Sequence, residues 1–409
     1  MSDSNLDLAI IGGGPAGLTL ALSLQQKKVD FSYAILEREH YPRMKTCAGG
    51  IAGSIGRILD DLELELPEPN LKIEGVEVRF RGRSLELEQK DIGHVVRRDV
   101  FDGSIAQAVK DRGIDLREDC DVCSVKREGD GFIIETQDGA ITARAIAVCT
   151  GAAGLMHVNL GLDEVQKRAR LMMTEGPIGP NEASDRYVFD LSELGRGVQG
   201  YVWDFPYRKA DGQVAMNRGV MDVRLPDRGA FPKVSFPELL DRRAEEAGVS
   251  PDACTRSGFS ERPFHPSASY AIEGAIFVGE AVGIDPLFGE GIGEAMEMAQ
   301  IAADSIGQAF ARHRTKAGPI QFKGYRKKVL GSHVGRSMRV LRIAGRLAYG
   351  KRWPKMVRLL LEHPQIAQNY CRFFAGYPLS KGAYFSGAAT LAWTLMRPAP
   401  KPERLALPR

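Results

Sequence analysis

Gly12, Gly14 and Gly17 stand at the G-x-G-x-x-G spacing, with Pro15 and Ala16 between the last two. The apolar run Leu6 to Ile11 precedes them and reads as a buried strand. A helical pattern from Leu18 to Lys28 follows, with Leu18, Ala21, Leu22 and Leu24 on one side. In that setting the first glycine permits a tight turn, the second lets a pyrophosphate approach the backbone, and the third lets the helix pack close to its strand. The N–H groups of the helix start then face the phosphates. A second strand, Tyr33 to Leu36, ends at Glu37 and Arg38. A carboxylate at that point can accept hydrogen bonds from both ribose hydroxyls. Gly12, Gly14, Pro15, Ala16, Gly17, Glu37 and Arg38 are therefore the expected dinucleotide site.

Three further groups could do chemistry. Cys47 lies between Lys45 and the pair Gly49-Gly50, where a thiol near an ammonium and backbone N–H groups could exchange a proton. A second glycine-rich stretch runs from Gly279-Glu280 through Asp285-Pro286 to Gly289-Glu290-Gly291-Ile292. Tyr201, Trp203 and Phe205, followed by Pro206, alternate along a strand-like run. Three rings on one face make a flat apolar wall, suited to an isoprenoid chain or an aromatic ring. Cys120-x-x-Cys123 has a redox spacing but sits in a strand-like stretch rather than at a helix start, which argues against redox use. The seven histidines show no metal spacing, and no Gly-x-Ser-x-Gly or Walker loop occurs. No metal site is expected.

The elements that must position these residues fit a chain of 409 residues, 44% hydrophobic and 26% charged. That composition excludes disordered and low-complexity classes and predicts two or three domains. No apolar run reaches the ~18–20 residues of a membrane span. The acidic N-terminal stretch lacks a basic n-region, so no signal peptide is expected. Six cysteines then fit free thiols in a reducing, cytoplasmic compartment. A further helix is predicted over Arg98–Arg112, closed by Gly113. Phe132–Thr136 and Ile141–Val148 read as a hairpin around Asp138-Gly139.

With these motifs placed, the chain resembles the geranylgeranyl reductase family of FAD-dependent oxidoreductases, which share the p-hydroxybenzoate hydroxylase-like fold. The resemblance rests on the glycine turn, on Arg98-x-x-Phe101-Asp102, and on Lys45-x-Cys47-x-Gly49-Gly50. It rests also on Tyr201-x-Trp203-x-Phe205-Pro206 with Asn217-x-Gly219, and on the Gly279 to Ile292 stretch. It implies FAD as cofactor, with Arg98 in contact with it and Gly279 and Glu280 (usually Asp in the family) toward its ribityl chain. Asp285, Gly289, Gly291 and Ile292 would lie at the flavin ring. Lys45, Cys47 and Ala48 would lie beside that ring, with Cys47 and Lys45 as the catalytic candidates. Tyr201, Trp203, Phe205, Pro206 and Gly289 would meet the substrate. The implied fold is α/β with an α+β second domain. A Rossmann-like FAD domain (1–70, 97–155 and 266–310) would carry a mixed-sheet substrate domain (71–96 and 156–265). A basic helical C-terminal region (311–409) would complete the chain.

The function so implied is reduction of C=C bonds in an isoprenoid, geranylgeranyl-type lipid. NADPH or a ferredoxin would be the external reductant, the latter as a partner protein. An FAD-dependent monooxygenase, hydroxylase- or halogenase-like, on an aromatic or protein-borne substrate is a second reading. A non-catalytic flavoprotein maturation or binding factor is a third. Ser305 to Leu361 holds no acid and 15 Lys and Arg, lying between Arg312 and Arg358, in a chain of net charge +3. Arg336, Arg339, Arg342 and Arg346 recur at helical spacing among aliphatic residues. Such a face predicts peripheral contact of 312–358 with a membrane, such as the inner membrane surface, and no nucleic acid binding.

Overall fold

The computed structural model describes residues 5–162, 168–225, 234–314, 318–377, 381–401 and 405. Two eight-stranded sheets organise them.

The first sheet is built on the strand Asn5–Ile11, which pairs in parallel with Tyr33–Leu36 on one side and Gly139–Val148 on the other. Leu8, Ala9 and Ile10 are fully buried, as a central parallel strand requires. Asp115–Arg117 and Ala275–Phe277 extend the parallel set. The hairpin holds, with Gly131–Thr136 and Gly139–Val148 closing at Thr136 opposite Gly139. The first helix spans Pro15–Gln26 rather than Leu18–Lys28. Proline's fixed φ and missing N–H suit the first turn, so the helix begins at the glycine turn itself. Helix Arg98–Asp111 ends before Gly113, which has φ +71°.

In the second sheet the strands run in the order Thr255–Glu261, Ala169–Pro177, Val214–Asp222, Gly200–Arg208, Arg186–Asp190, Asn70–Phe80, Arg83–Val96, Gly50–Ala52. All neighbours are antiparallel except Arg186–Asp190 with Asn70–Phe80. Gly50–Ala52, placed in the first domain on sequence, is thus an edge strand of the second sheet. One face of Gly200–Arg208 packs Val202 against Phe236, Leu239 and Leu240 around helix Phe236–Glu246. Buried Asp204 on that face pairs with Arg243.

The first core does not stop at residue 310. Phe322, Tyr325, Val329, Val334 and Met338 join it, and the Tyr325 hydroxyl donates to the Phe277 carbonyl at 3.1 Å. Further on, Leu341, Tyr349, Trp353, Val357, Ala367 and Cys371 pack instead into the core of the second sheet. The helices His333–Tyr349, Trp353–Glu362 and Pro364–Phe374 therefore cover that sheet. Of the expected basic block, Lys316 lies outside the described residues. Among the described residues no helix is long and apolar enough to cross a membrane, and no cluster of metal ligands occurs.

Candidate active site where two cavities meet

The glycine turn opens an elongated cavity of about 470 Å³. Gly12 has φ +102°, and a Cβ there would stand 2.6 Å from the Cys149 carbonyl oxygen. A Cβ on Gly17 would stand 2.0 Å from the Gly12 carbonyl oxygen, so this glycine serves helix–strand packing and does not line the cavity. A Cβ on Gly14 would instead project into open space, its nearest neighbour being Arg43 Nη2 at 3.9 Å. Gly14 is the N-cap of helix Pro15–Gln26 and no side chain caps that helix start. Its first N–H groups thus face the cavity. Gly12, Gly14, Pro15 and Ala16 all line it, as do Glu37 and Arg38.

Glu37 is buried and held from two sides: Gly13 N–H donates to Oε2 at 2.6 Å and Glu39 N–H donates to Oε1 at 3.1 Å. Arg43, missed in the sequence, lies 3.7 Å from Glu37 and 3.3 Å from Asp102, and donates to the Gly13 carbonyl at 3.2 Å. It locks the turn to helix Arg98–Asp111. Arg98 binds Asp102 through two 2.8 Å hydrogen bonds and lines the cavity against Cys47. The buried Thr150 hydroxyl also lines the cavity and finds no partner among the described residues.

At its other end the cavity reaches Gly289, Gly291 and Ile292. Gly291 caps helix Ile292–His313 without a side-chain hydrogen bond, so a second helix N-terminus opens inward. Lys45 and Glu280 line the middle, and Glu280 accepts the Arg262 N–H at 3.1 Å. Gly279 and Asp285 lie outside the lining. A Cβ on Gly279 would meet Ala16 and Ala295 at 3.0 Å, so it permits close packing behind the glycine turn. Asp285 is buried and accepts the N–H groups of Leu287 and Phe288 at 2.7 and 3.1 Å, which shapes the loop ahead of Gly289. Burial pushes its carboxyl up to about 7 against those two bonds. These features fit an extended dinucleotide such as FAD: a glycine cradle that a Cβ on Gly14 would enter, a hydroxyl with no partner among the described residues, a carboxylate at the strand end and two helix starts without a side-chain cap.

An adjoining cavity of about 290 Å³ is almost wholly apolar. Tyr201, Trp203 and Phe205 line it as the alternation predicts, and Ala48 lines it too. Pro206 does not. It falls on the opposite face of the strand, with Val202 and Asp204, because strand side chains alternate. The Tyr201 hydroxyl donates to the Phe288 carbonyl, and the Tyr349 hydroxyl donates to the Leu287 carbonyl at 2.6 Å. Those two bonds tie the loop to both the sheet and the C-terminal helices. Ala344, Ala348, Leu360, Ile366 and Phe374, from those helices, close the far wall.

Cys47, Gly50, Phe259, Glu261 and Gly289 line both cavities. Cys47 Sγ accepts the Gly49 N–H at 3.4 Å. Glu261 was missed in the sequence, since one acid at the end of a strand carries no local signal. Burial holds its carboxyl well above the usual carboxylate range, reinforced by Glu280, Cys47, Asp285 and Glu290. Glu290 lines the apolar cavity, and burial, together with Asp285, pushes it up to about 8. Cys120 and Cys123 are free thiols, as expected.

No family model matches the chain. In sequence it is similar to a menaquinone reductase of Mycolicibacterium smegmatis, 22% identical over 360 residues that cover 83% of this chain and 84% of the relative. It is similar also to a digeranylgeranylglycerophospholipid reductase of Methanoculleus marisnigri, 25% identical over 344 residues, 75% of this chain and 78% of the relative. In fold it is similar to a geranylgeranyl bacteriochlorophyll reductase-like protein of Thermoplasma acidophilum. There the TM-score is 0.72 at 18% identity, covering 94% of this chain and 96% of that one. A p-nitrophenol 4-monooxygenase of Pseudomonas putida shares the fold with a TM-score of 0.63 at 14% identity, covering 95% and 98%. These likenesses agree with the resemblance read from the motifs, and the fold is that of FAD-dependent oxidoreductases with a helical C-terminal part.

Proposed function

We propose that this FAD-dependent oxidoreductase saturates carbon–carbon double bonds in the polyprenyl chain of a lipid. One observation carries the reading: an apolar cavity walled by Tyr201, Trp203 and Phe205 meets the cofactor cavity at Cys47, Gly50, Glu261 and Gly289. The relatives named for reduction of geranylgeranyl lipids and of menaquinone, both isoprenoid-bearing, support it.

Gly14 and the start of helix Pro15–Gln26 would hold the pyrophosphate, and Glu37 the ribose. The start of helix Ile292–His313 would face the ring and favour negative charge there. When bound and reduced, FAD supplies hydride at the flavin ring. The protein's part is positional. The aromatic wall orients the alkene, the C-terminal helices exclude water, and a group at the junction gives a proton. Cys47, with Lys45 nearby in the cofactor cavity, is one candidate for that role. The electrons would enter from NADPH or from a ferredoxin-type donor.

The outer face of helix His333–Tyr349 presents Arg336, Arg339 and Arg346 together with Val340 and Ile343, 65% and 61% exposed. Its inner residues Ala344, Ala348 and Tyr349 line the apolar cavity. We place this face on an anionic bilayer, so that lipid enters beside the helices that enclose it.

The test is to reduce the FAD-loaded protein, add a geranylgeranyl-bearing lipid, and weigh the product. A gain of two hydrogens per bond supports the reading. The monooxygenase fold neighbour favours a second one. Under it, an aromatic substrate would gain an oxygen atom in air and the polyprenyl lipid would be recovered unchanged. Turnover of either substrate would remove the reading as a non-catalytic factor.

A further inference from the structure

We propose that Glu261, at the meeting of the two cavities, is the acid that protonates the alkene carbon opposite the one receiving hydride. This deepens the reading above and rests on the apolar cavity being the alkene site.

Geometry comes first. Glu261 ends the edge strand Thr255–Glu261 and lines both cavities. Its carboxylate oxygens lie 2.9 and 3.1 Å from where a Cβ on Gly289 would stand, so the carboxyl lies against the backbone of the loop just ahead of helix Ile292–His313. Among the described residues no donor occupies those oxygens, which leaves the O–H free to turn toward a ligand. Two of the tyrosine hydroxyls at the apolar cavity are committed, and Tyr370 does not line the cofactor cavity. Tyr201 donates to the Phe288 carbonyl, and Tyr187 donates to the His94 carbonyl at 2.7 Å. Glu290 lines the apolar cavity but not the cofactor cavity.

The surroundings keep the proton on. Burial and the four titratable groups that act on it most strongly disfavour the Glu261 anion, against the cations Lys45, Arg98 and Arg168 that line the same cofactor cavity. Glu280 comes from the turn after strand Ala275–Phe277, Cys47 from the loop ahead of Gly50–Ala52, and Asp285 and Glu290 from the loop before helix Ile292–His313. A neutral carboxylic acid can lie beside a hydrocarbon chain, whereas a carboxylate there would be strongly desolvated. In the step itself, the Glu261 O–H bond breaks and its proton forms a C–H bond at one alkene carbon. The π bond is lost, and the hydride supplied by reduced flavin forms the second C–H bond. Glu261 is left as a carboxylate, which the neighbouring acids destabilise, so it regains a proton from solvent when product leaves.

The experiment compares holoenzyme of wild type, Glu261→Gln and Glu261→Asp. At neutral pH the infrared difference between wild type and E261Q should show the carbonyl stretch of a protonated carboxyl. E261Q should retain FAD with an unchanged visible spectrum and lose at least about 100-fold in single-turnover reduction of a geranylgeranyl lipid. E261D should recover part of that loss. The wild-type rate should be level at neutral pH and fall on the alkaline side, a limb absent from E261Q. An infrared difference without that band, or E261Q within about tenfold of the wild-type rate, overturns the proposal. Should E261Q not hold FAD, the wild-type profile decides: a rate that stays level through the alkaline range also overturns it. Failure of the wider reading looks different, because the wild-type holoenzyme would then reduce no alkene at all, and the proton step would fall with it.

Discussion

Gly219 lies directly beneath the Trp203 indole: a Cβ built on it would stand 2.0 Å from Trp203 Cζ2. The two residues face each other across paired strands, and the next pair on the same face is Phe205 with Asn217. Asn217 Oδ1 accepts the Trp203 Nε1–H at 2.8 Å. The aromatic motif and the Asn-x-Gly that follows it are thus one unit, the second half making room and a hydrogen-bond partner for the first.

That unit can be tested at two depths. Asn217→Leu leaves the buried indole N–H unpaired and should cost about 1–3 kcal/mol of stability. Gly219→Ala should do more damage, because the indole cannot keep its place and must move within the cavity. Urea unfolding followed by tryptophan fluorescence measures both, and an intact G219A indole environment would contradict the packing described.

The glycine turn offers a cleaner separation between fold and cofactor. Gly14→Val points into open cavity, so the protein should fold with a melting temperature within about 3 °C of the wild-type apoprotein yet lose most FAD binding. Gly17→Ala must displace the Gly12 carbonyl and should lower stability in the apoprotein itself. Equal FAD binding by G14V and wild type would show that the pyrophosphate lies elsewhere.

The glycine turn, the hairpin at Asp138-Gly139 and the Tyr201–Phe205 wall were legible because each depends on neighbours in sequence or on strand alternation. Alternation should also have placed Pro206 on the far face with Asp204, and a resemblance overrode it. Glu261 was not legible, since its neighbours Cys47, Glu280, Asp285 and Glu290 come from other segments that meet only in the fold. Nor does an amphipathic pattern say what its buried face covers. Helices after residue 332 enclose the apolar cavity, and only tertiary packing shows it.

Those helices should set the chain length of the substrate. Ala367 lines the apolar cavity from helix Pro364–Phe374, which has no residue in the cofactor cavity. Ala367→Phe should leave reduction of a short prenyl substrate within about threefold of wild type and weaken that of a geranylgeranyl lipid at least about tenfold, since an added ring in a packed site costs about 1–3 kcal/mol. Mass spectrometry of products from a length series provides the measurement. Equal loss across the series would place the chain elsewhere.

The buried acids make stability depend on pH with a definite sign. Asp285 and Glu290 are raised to about 7 and about 8, above their unfolded values. Between roughly pH 4 and pH 8 the native state therefore holds more protons than the unfolded chain, and this contribution, full below pH 4, is lost as pH rises through those values. The apoprotein should melt lower at pH 8.5 than at pH 5.5. Glu290→Gln should narrow that difference by at least about 3 °C. A difference that E290Q leaves unchanged would assign the effect to other groups.

The outward arginines give the last prediction its sharpest contrast. Arg336, Arg339 and Arg346 are exposed, while Arg342 is half-buried with its charge disfavoured by burial and by Arg346. Each exposed cation near an anionic bilayer contributes about 1 kcal/mol, so reversing three of them should weaken liposome binding far more than tenfold. Reversal adds repulsion to the lost attraction, and the effect should shrink as salt shortens the Debye length. Val340 and Ile343 lie on the same exposed face and supply the salt-insensitive part, so V340S/I343S should weaken binding at high salt as well as low. Sedimentation with vesicles of phosphatidylglycerol and phosphatidylcholine separates the two contributions. Reduction of a detergent-dispersed prenyl substrate should survive both sets of changes, because these side chains point away from the cavity that Ala344 and Ala348 line. Less than a tenfold loss of binding on reversing the arginines would mean that this basic face is merely solvated.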